Sequence, residues 1–174
     1  MIKYLYYIII SFLLVIIVQS IFPALGFLSN LNILLIFVIF ILIVWGFNVS
    51  FIFALFIGLF LNIYSFLPIG TFILIYLIIL FGANFLYKNV FINFSLFTSL
   101  ILILMSTIVY EFLLLIFSLI FHLIGLTAIY FTLDKIFLSN LGWQLILNAV
   151  LMSLIFIFGQ ISTRKLNLVF LIKR

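Results

Sequence analysis

Glu111 is the residue in this sequence whose chemistry most needs an explanation. It lies in an apolar stretch that reaches from about Asn89 to His122 without another charged side chain. A carboxylate at the centre of a membrane helix costs about 3 kcal/mol on insertion scales, so we expect Glu111 to face protein or water. Such an acid either serves a function, for instance by holding a basic group of a partner, or is neutral and hydrogen-bonded to Asn62 or Asn148.

Polar residues at helical spacing extend from Glu111 into a stripe. Thr107 lies 4 residues before it, and Ser118 and His122 lie 7 and 11 residues after it, so all four fall within about 60° on one face of a helix. Polar groups inside a membrane seek partners on neighbouring helices, so we expect stripes on different helices to meet. They serve either as packing contacts or as the lining of a ligand site. Two further stripes have this spacing: Gln144, Asn148 and Gly159, and Gly58, Asn62 and Ser65.

The sequence contains no set of side chains for catalysis or metal binding. It has one histidine, one glutamate, one aspartate and no cysteine, and it lacks the HExxH, GxSxG and Gly-rich phosphate-loop patterns. A hydrolytic triad, a carboxylate pair or a metal site therefore cannot be built from this chain alone. We expect a non-enzymatic protein without cofactor or metal. The histidine, His122, is expected at the membrane interface rather than as a ligand or proton carrier.

Composition indicates one all-α integral membrane domain over residues 1–174. Hydrophobic residues make up 71% and charged residues 5%, whereas soluble domains carry about 25% charged residues. The mean hydropathy is +1.72, and a soluble fold would have almost no polar surface to present to water. The net charge of +5 comes from residues in loops and at the C-terminal tail, so it points to membrane topology and not to nucleic acid.

A bundle of six transmembrane helices accommodates the apolar segments. About 20 apolar residues are needed to cross the hydrocarbon core, and loop residues such as Pro23, Pro68 and Gly70 separate the segments. The six predicted spans are about residues 4–22, 32–45, 51–66, 71–87, 95–122 and 143–162.

Basic residues set the orientation of these spans. With the N-terminus in the cytoplasm, only Lys135, beside Asp134, lies outside, which is the bias that the positive-inside rule requires. Both termini are then cytoplasmic, and residues 124–142 are external. The basic residues on the inside are Lys3, Lys88, Arg164, Lys165, Lys173 and Arg174.

Three connections between spans have distinctive sequences. Spans two and three are joined by residues 46–48 alone, which predicts a tight inner hairpin. The apolar residues of 124–142, among them Ile129, lie near helical spacing between polar ones, which predicts either a short amphipathic helix in the outer interface or a loop. Pro68 and Gly70 predict a tight outer turn at 66–70, with close packing at Gly70.

A resemblance to a known family lies between Gly58 and Gly70, which read GLFLNIYSFLPIG. This segment resembles the signature of the rod shape-determining protein MreD family, which has a Gly, an Asp four residues later, a small polar residue and Pro-Leu/Ile-Gly at the start of the next helix. Asn62 stands where the family has Asp, which keeps a hydrogen-bonding group but loses a charge. The matching residues are Gly58, Ser65, Pro68 and Gly70.

Other features of the chain are also similar to MreD proteins: the length, the N-in/C-in topology, the Tyr110-Glu111 pair in the fifth span and the basic tail. The resemblance implies a membrane scaffold of the rod complex in the bacterial cytoplasmic membrane, which guides lateral peptidoglycan synthesis and maintains cell shape. It implies as partners the bitopic protein MreC, the actin-like MreB filaments and the cell-wall synthases, within the lipid bilayer. The residues expected to make partner or intrabundle polar contacts are Gly58, Asn62, Ser65, Pro68, Gly70, Thr107, Glu111, Ser118 and Asn148.

A second protein class shares this architecture. MreD-like proteins resemble the substrate-binding membrane subunits of energy-coupling-factor vitamin transporters, which also have six helices. Such a subunit requires an outward-open ligand pocket, which the stripes on spans three, five and six could line, and small-residue helix surfaces for docking its partner. The sequence offers few convergent polar groups and few small residues, so it favours the scaffold.

Cysteine labelling tests the orientation directly, because the chain has no cysteine of its own. With an impermeant thiol reagent on intact cells, we expect labelling of Ser139→Cys and no labelling of Lys3→Cys or Lys173→Cys. Permeabilised cells, in which all three cysteines react, provide the control. Labelling at position 173 but not at position 139 in intact cells would reverse the topology.

Overall fold

All the regular secondary structure in the described part of the chain is helical, which confirms the all-α prediction. A computed structural model describes residues 2–90, 95–128 and 130–171, with side chains from 6 to 158 within these ranges, except at 22, 25 and 27. No strand occurs among these residues. The elements are α1 (Ile2–Ile21), a 3₁₀ helix (Phe22–Asn30), α2 (Ile33–Trp45), α3 (Phe47–Ile63), α4 (Thr71–Asn89), α5 (Leu96–Leu123) and α6 (Lys135–Leu171).

Three helices are long and apolar enough to cross a membrane. They are α4, α5 and the segment Lys135–Phe158 of α6. Large apolar side chains on these helices are exposed, among them Phe85, Phe97 and Ile146, whereas a helix of a soluble protein turns polar side chains outward. The described helices therefore indicate an integral membrane protein. Shorter apolar helices are Tyr6–Ile21, α2 and α3.

Helix α2 forms the centre of the bundle. All 13 of its residues are apolar and eight are buried, and it contacts each of the other five α-helices. A helix that is apolar on every side belongs in the interior. Asn32 begins it, because its Oδ1 accepts a hydrogen bond from the Leu35 N–H at 3.1 Å. Gly46 ends it with a φ of +82°.

The hairpin between α2 and α3 is tighter than the sequence predicts. Helix α3 begins at Phe47 instead of about residue 51, so Gly46 alone separates the two helices. Ser50 ties them together by donating a hydrogen bond to the Val38 carbonyl at 2.8 Å. Helix α3 also ends earlier than predicted, at Ile63.

Among the described residues of 124–142, no separate amphipathic helix forms, so that alternative is wrong. Residues 124–128 and 130–134 form a loop, Ile129 lies outside the described residues, and α6 already begins at Lys135. The cause is Asp134, whose Oδ1 accepts a hydrogen bond from the Phe137 N–H at 2.8 Å. This side-chain cap satisfies an N–H of the first helical turn, and the polar residues after it form the first two turns of α6.

Helices α3 and α4 are in close contact at Gly58. A Cβ on Gly58 would lie 2.7 Å from the Cα of Ile73, so only glycine leaves room for the α4 backbone. One turn later, Asn62 donates from Nδ2 to the Gly58 carbonyl at 2.8 Å, and its Oδ1 accepts a hydrogen bond from the Phe72 N–H at 3.4 Å. Asn62 thereby satisfies one of the N–H groups that the start of a helix leaves without a partner.

The chain turns from α3 to α4 over residues 64–70, close to the predicted 66–70. The Pro68 carbonyl accepts a hydrogen bond from the Thr71 hydroxyl at 2.7 Å. Gly70 has a φ of +101°, which favours glycine, but nothing lies within 4 Å of the place its Cβ would take. The prediction of close packing at Gly70 is therefore wrong. Gly70 serves the backbone conformation, and the close contact is at Gly58.

Alanine at Gly58 tests this contact, with alanine at Gly82 as the matched control. Both glycines lie within helices, but nothing lies within 4 Å of a Cβ at Gly82. Gly58→Ala must displace α4 and is expected to lower the free energy of unfolding by about 1–3 kcal/mol. Gly82→Ala adds helix propensity and is expected to be neutral or stabilising. Thermal unfolding in lipid nanodiscs measures both, and a Gly58→Ala protein as stable as the wild type would contradict the contact.

Candidate functional site

Glu111 is half-buried in α5 and faces α6. Its carboxyl group has the side chain of Gln144 as a polar neighbour, and Gln144 is buried. The predicted partners, Asn62 and Asn148, are wrong, because Asn62 caps α4 and the amide of Asn148 is bonded to other groups. Glu111 thus has a polar partner within the protein, and it also borders a cavity.

Asn148 joins three helices in the interior of the bundle. Its side chain is fully buried, and Nδ2 donates a hydrogen bond to Oγ1 of Thr107 in α5 at 2.9 Å. Its Oδ1 accepts the backbone N–H of Asn32, at the start of α2, at 3.0 Å. Thr107 in turn donates to the Ile103 carbonyl at 2.8 Å. One amide therefore holds α6 against both α5 and the start of α2.

The rest of the α5 stripe holds the linker between α5 and α6, residues 124–134. Ser118 is fully buried, and its Oγ accepts a hydrogen bond from the Phe131 N–H at 3.1 Å. His122 is hydrogen-bonded through Nδ1 to the Thr127 carbonyl at 3.0 Å, and its ring stacks on Tyr130 with centroids 4.3 Å apart. Every residue of the stripe thus has a partner on α6 or the linker. We name this contact the polar seam; its pairs are Thr107–Asn148, Glu111–Gln144, Ser118–Phe131 and His122–Thr127.

The predicted stripe on α3 does not join the polar seam. Among the described residues, α3 contacts α1, α2 and α4 but neither α5 nor α6. Gly58 and Asn62 face α4, and Ser65 accepts a hydrogen bond within the turn at 3.0 Å. The expectation that all three stripes meet is therefore wrong for α3. The surroundings of Gly159, on the α6 stripe, lie outside the described residues.

A cavity of about 530 Å³ lies beside the polar seam. Its wall is built from the end of α1, the 3₁₀ helix, the start of α2, parts of α3, α4 and α5, the linker and the start of α6. Both acidic residues of the chain, Glu111 and Asp134, line it. Sequence reasoning placed these two acids apart, one in mid-membrane and one in an outer loop. Other polar residues of the wall include Gln19, Asn32, Tyr76, Tyr110, Asn140 and Gln144.

Two tyrosines stand together in this wall. Tyr76 of α4 and Tyr110 of α5 pack edge to face, with ring centroids 6.0 Å apart. The Tyr110 hydroxyl has the Asn32 side chain as a polar neighbour, whereas the Tyr76 hydroxyl is buried with no hydrogen-bond partner among the described residues. Sequence reasoning missed Tyr76, because a tyrosine among Ile and Leu resembles ordinary apolar core. The feature of the sequence that pointed to this part of the wall is the polar pair Tyr110-Glu111.

The cavity has the size and lining of a small-molecule site. Ligand sites in proteins occupy about 300–1,000 Å³ and combine apolar walls with a few polar groups at fixed positions. Here a carboxylate, several amides and phenol groups supply hydrogen bonds, and aromatic rings supply apolar surface. Within the described ranges, no group of three or more potential metal ligands comes together.

Comparisons of this chain with models of protein families, with curated proteins and with solved structures find no match. The functional argument therefore rests on the geometry of the α3–α4 junction, the polar seam and the cavity.

A double-mutant cycle between Thr107 and Asn148 tests the centre of the seam. Asn148→Leu leaves the Asn32 N–H without its acceptor, and we expect a loss of about 1–3 kcal/mol in unfolding free energy. Thr107→Val removes the acceptor of the Asn148 amide. The two changes are expected to couple by about 0.6 kcal/mol, the average for hydrogen bonds between membrane helices, and by at most about 1.7 kcal/mol.

Ser153→Ala provides the matched control on α6. Ser153 donates only within its own helix, to the Ala149 carbonyl at 2.7 Å, so its effect is expected to add to that of Thr107→Val without coupling. Denaturant unfolding in mixed micelles measures all six proteins. If the changes in unfolding free energy of Thr107→Val and Asn148→Leu add strictly, the hydrogen bond between the two side chains does not contribute to stability.

Proposed function

We propose that the protein is a six-span scaffold of the bacterial rod complex, similar to MreD, with both termini in the cytoplasm. It acts without catalysis and helps to guide lateral peptidoglycan synthesis and maintain cell shape. The observation that carries this proposal is the α3–α4 junction, where each residue in the segment that resembles the MreD signature has a distinct structural role.

The tasks at this junction differ from residue to residue. Gly58 has no room for a side chain beside α4, Asn62 caps the start of α4, and Gly70 adopts a positive φ. Ser65 and Pro68 accept the hydrogen bonds that close the turn. A match at positions with such strict demands supports a shared fold more strongly than a match at exposed positions, where many residue types are tolerated.

Asn62, the departure from the signature, can serve as Asp does at the start of a helix. Its Oδ1 accepts the Phe72 N–H, as a carboxylate oxygen would. Its Nδ2 also donates to the Gly58 carbonyl, which an ionised Asp cannot do. The junction therefore exchanges a charge for a second hydrogen bond, and the packing of α3 on α4 does not depend on that charge.

The shorter helices are compatible with six spans. Helices α1 and α3 have 20 and 17 residues, close to the roughly 20 needed for a crossing. Helix α2 covers only about 20 Å, but all five other α-helices surround it, so they meet the lipid in its place. The orientation rests on the distribution of Lys and Arg, of which Lys173 and Arg174 lie outside the described residues.

A scaffold of this kind binds its partners through helix surfaces. Helices α4 and α5 expose large aromatic side chains, including Phe81, Phe85 and Phe97, and such faces can pack against the transmembrane helix of an MreC-like bitopic protein. The MreB-like actin homologue and the cell-wall synthases enter the proposal through the resemblance to MreD.

Affinity purification of the tagged protein in mild detergent, followed by mass spectrometry, tests the scaffold. We expect an MreC-like bitopic protein to co-purify with the wild type and with Gly82→Ala, and to be reduced severalfold with Gly58→Ala, because that change disturbs the α3–α4 junction. An unrelated multi-pass protein with the same tag and expression level is the control. Recovery of no rod-complex protein, together with unchanged cell shape after depletion, would contradict the proposal.

The cavity favours one second candidate, the substrate-binding subunit of an energy-coupling-factor vitamin transporter. The polar wall formed by α2, α4, α5 and α6 provides the convergent groups that such a subunit requires. This candidate predicts co-purification with a transporter membrane subunit and its ATPases. It also predicts a vitamin of submicromolar affinity, which stabilises by about 2.7 kcal/mol at a hundredfold excess over Kd. The scaffold predicts neither.

A further inference from the structure

The described lining of the cavity contains acidic side chains but no basic ones. Both acids of the chain line it, whereas none of the described lining residues is one of the seven lysines and arginines. Glu111 has Gln144 as its polar neighbour, and a carboxyl group has several acceptor positions. Asp134 is exposed; one of its oxygens caps α6, and the other accepts a hydrogen bond from the Thr132 hydroxyl at 3.5 Å. The wall therefore presents two carboxyl groups whose remaining acceptor capacity is not offset by a basic side chain of its described lining.

We propose that this cavity is a binding site for an organic ammonium group. The ammonium binds beside Glu111, and the body that carries it packs against the rings of the wall, such as Tyr76, Tyr110 and Phe137. Aromatic rings attract cations through their faces, most strongly where water is excluded. The volume of about 530 Å³ suits a soluble amine, and the ammonium of a phosphatidylethanolamine headgroup has the same chemistry.

The hydroxyl of Tyr76 supports a ligand independently of the charges. Tyr76 is fully buried, lines the cavity and has no hydrogen-bond partner for its hydroxyl among the described residues. A buried hydroxyl without a partner is costly and calls for an explanation. An N–H group of a bound ammonium that reaches this oxygen would satisfy it.

An anion fits the cavity less well, although the start of α2 lies in its wall. Helix starts attract anions through their N–H groups. Here the Asn32 N–H is bonded to Asn148 at 3.0 Å, and the Leu35 N–H is bonded to Asn32 at 3.1 Å. At the start of α6, the Phe137 N–H is bonded to Asp134 at 2.8 Å. These donors are occupied, and the nearby carboxylates repel an anion.

Three compounds that share a 2-phenylethyl group test the proposal on the isolated protein: 2-phenylethylammonium, 2-phenylethanol and 3-phenylpropanoate. Calorimetry in neutral maltoside detergent measures their affinities, and native mass spectrometry of the protein from cells measures retained lipid. We expect either saturable binding of the ammonium at least about tenfold tighter than that of the alcohol, or retention of phosphatidylethanolamine over phosphatidylglycerol. The first result identifies a soluble amine as the ligand class and the second a lipid headgroup.

Two variants place the site at the named residues. Glu111→Gln keeps the shape of the side chain and is expected to weaken the preferred ammonium ligand at least about tenfold, without changing the affinity of the alcohol. Tyr76→Phe removes a hydroxyl that has no protein partner, so it is expected to raise the melting temperature of the unliganded protein and to weaken ammonium binding. Thr127→Val is its matched control, because the Thr127 hydroxyl is the other buried one without a partner among the described residues. It lies away from the described lining, so Thr127→Val is expected to leave ammonium binding unchanged.

Three results would overturn the proposal. The first is an alcohol or carboxylate that binds as tightly as the ammonium, without selective retention of phosphatidylethanolamine. The second is an unchanged affinity of Glu111→Gln for the ammonium ligand, and the third is an equal loss of ammonium binding in Thr127→Val and Tyr76→Phe. The inference goes beyond the scaffold role. The ligand test uses the purified chain without partners, so a negative result there does not affect the rod-complex proposal. Likewise, a failure to recover rod-complex partners does not affect the ligand-binding result.

Discussion

The buried amide of Asn148 is the interaction on which the rest of the structure depends. An amide without partners in a membrane protein costs several kcal/mol, so Asn148 fixes α6 where its oxygen meets the start of α2 and its nitrogen meets α5. The other pairs follow in antiparallel order. Gln144 lies one turn before Asn148 and meets Glu111, one turn after Thr107. The linker then runs back along α5 and meets Ser118 and His122. One register therefore sets the whole seam.

The cavity follows from this register and from the length of α2. The central helix is only about 20 Å long, and the residues at its start, Asn32 and Leu34, line the cavity. The linker, which the seam holds in place, borders the space beyond the start of α2. Because Asp134 caps α6, this turn also brings the second acid of the chain to the wall of the cavity. Glu111 avoids lipid by facing the same space.

Helical periodicity predicted the α5 stripe and its meeting with α6, because residues 4, 7 or 11 apart share a face whatever lies opposite. Periodicity does not say which helix lies opposite, so the α3 stripe was assigned to the seam although Asn62 caps α4. The start of α6 carried a visible signal in Asp134, a residue type that favours helix N-caps, but the polar residues after it resembled an interfacial helix. The cavity could not be predicted, because elements from α1 to α6 build its wall and Tyr76 stands in an apolar sequence.

Cross-linking of paired cysteines in native membranes tests most directly whether the polar seam is the organising contact. The chain has no cysteine, so each reaction reports one pair. With a short bis-methanethiosulfonate reagent, Glu111→Cys paired with Gln144→Cys is expected to form an intramolecular cross-link rapidly, because the two native side chains are neighbours and Asn148 is left in place. Asn62→Cys paired with Glu111→Cys is expected to remain unlinked, because α3 does not contact α5 in the described structure. Efficient cross-linking of positions 62 and 111, with none between 111 and 144, would contradict the account and place the α3 stripe where the sequence alone suggested.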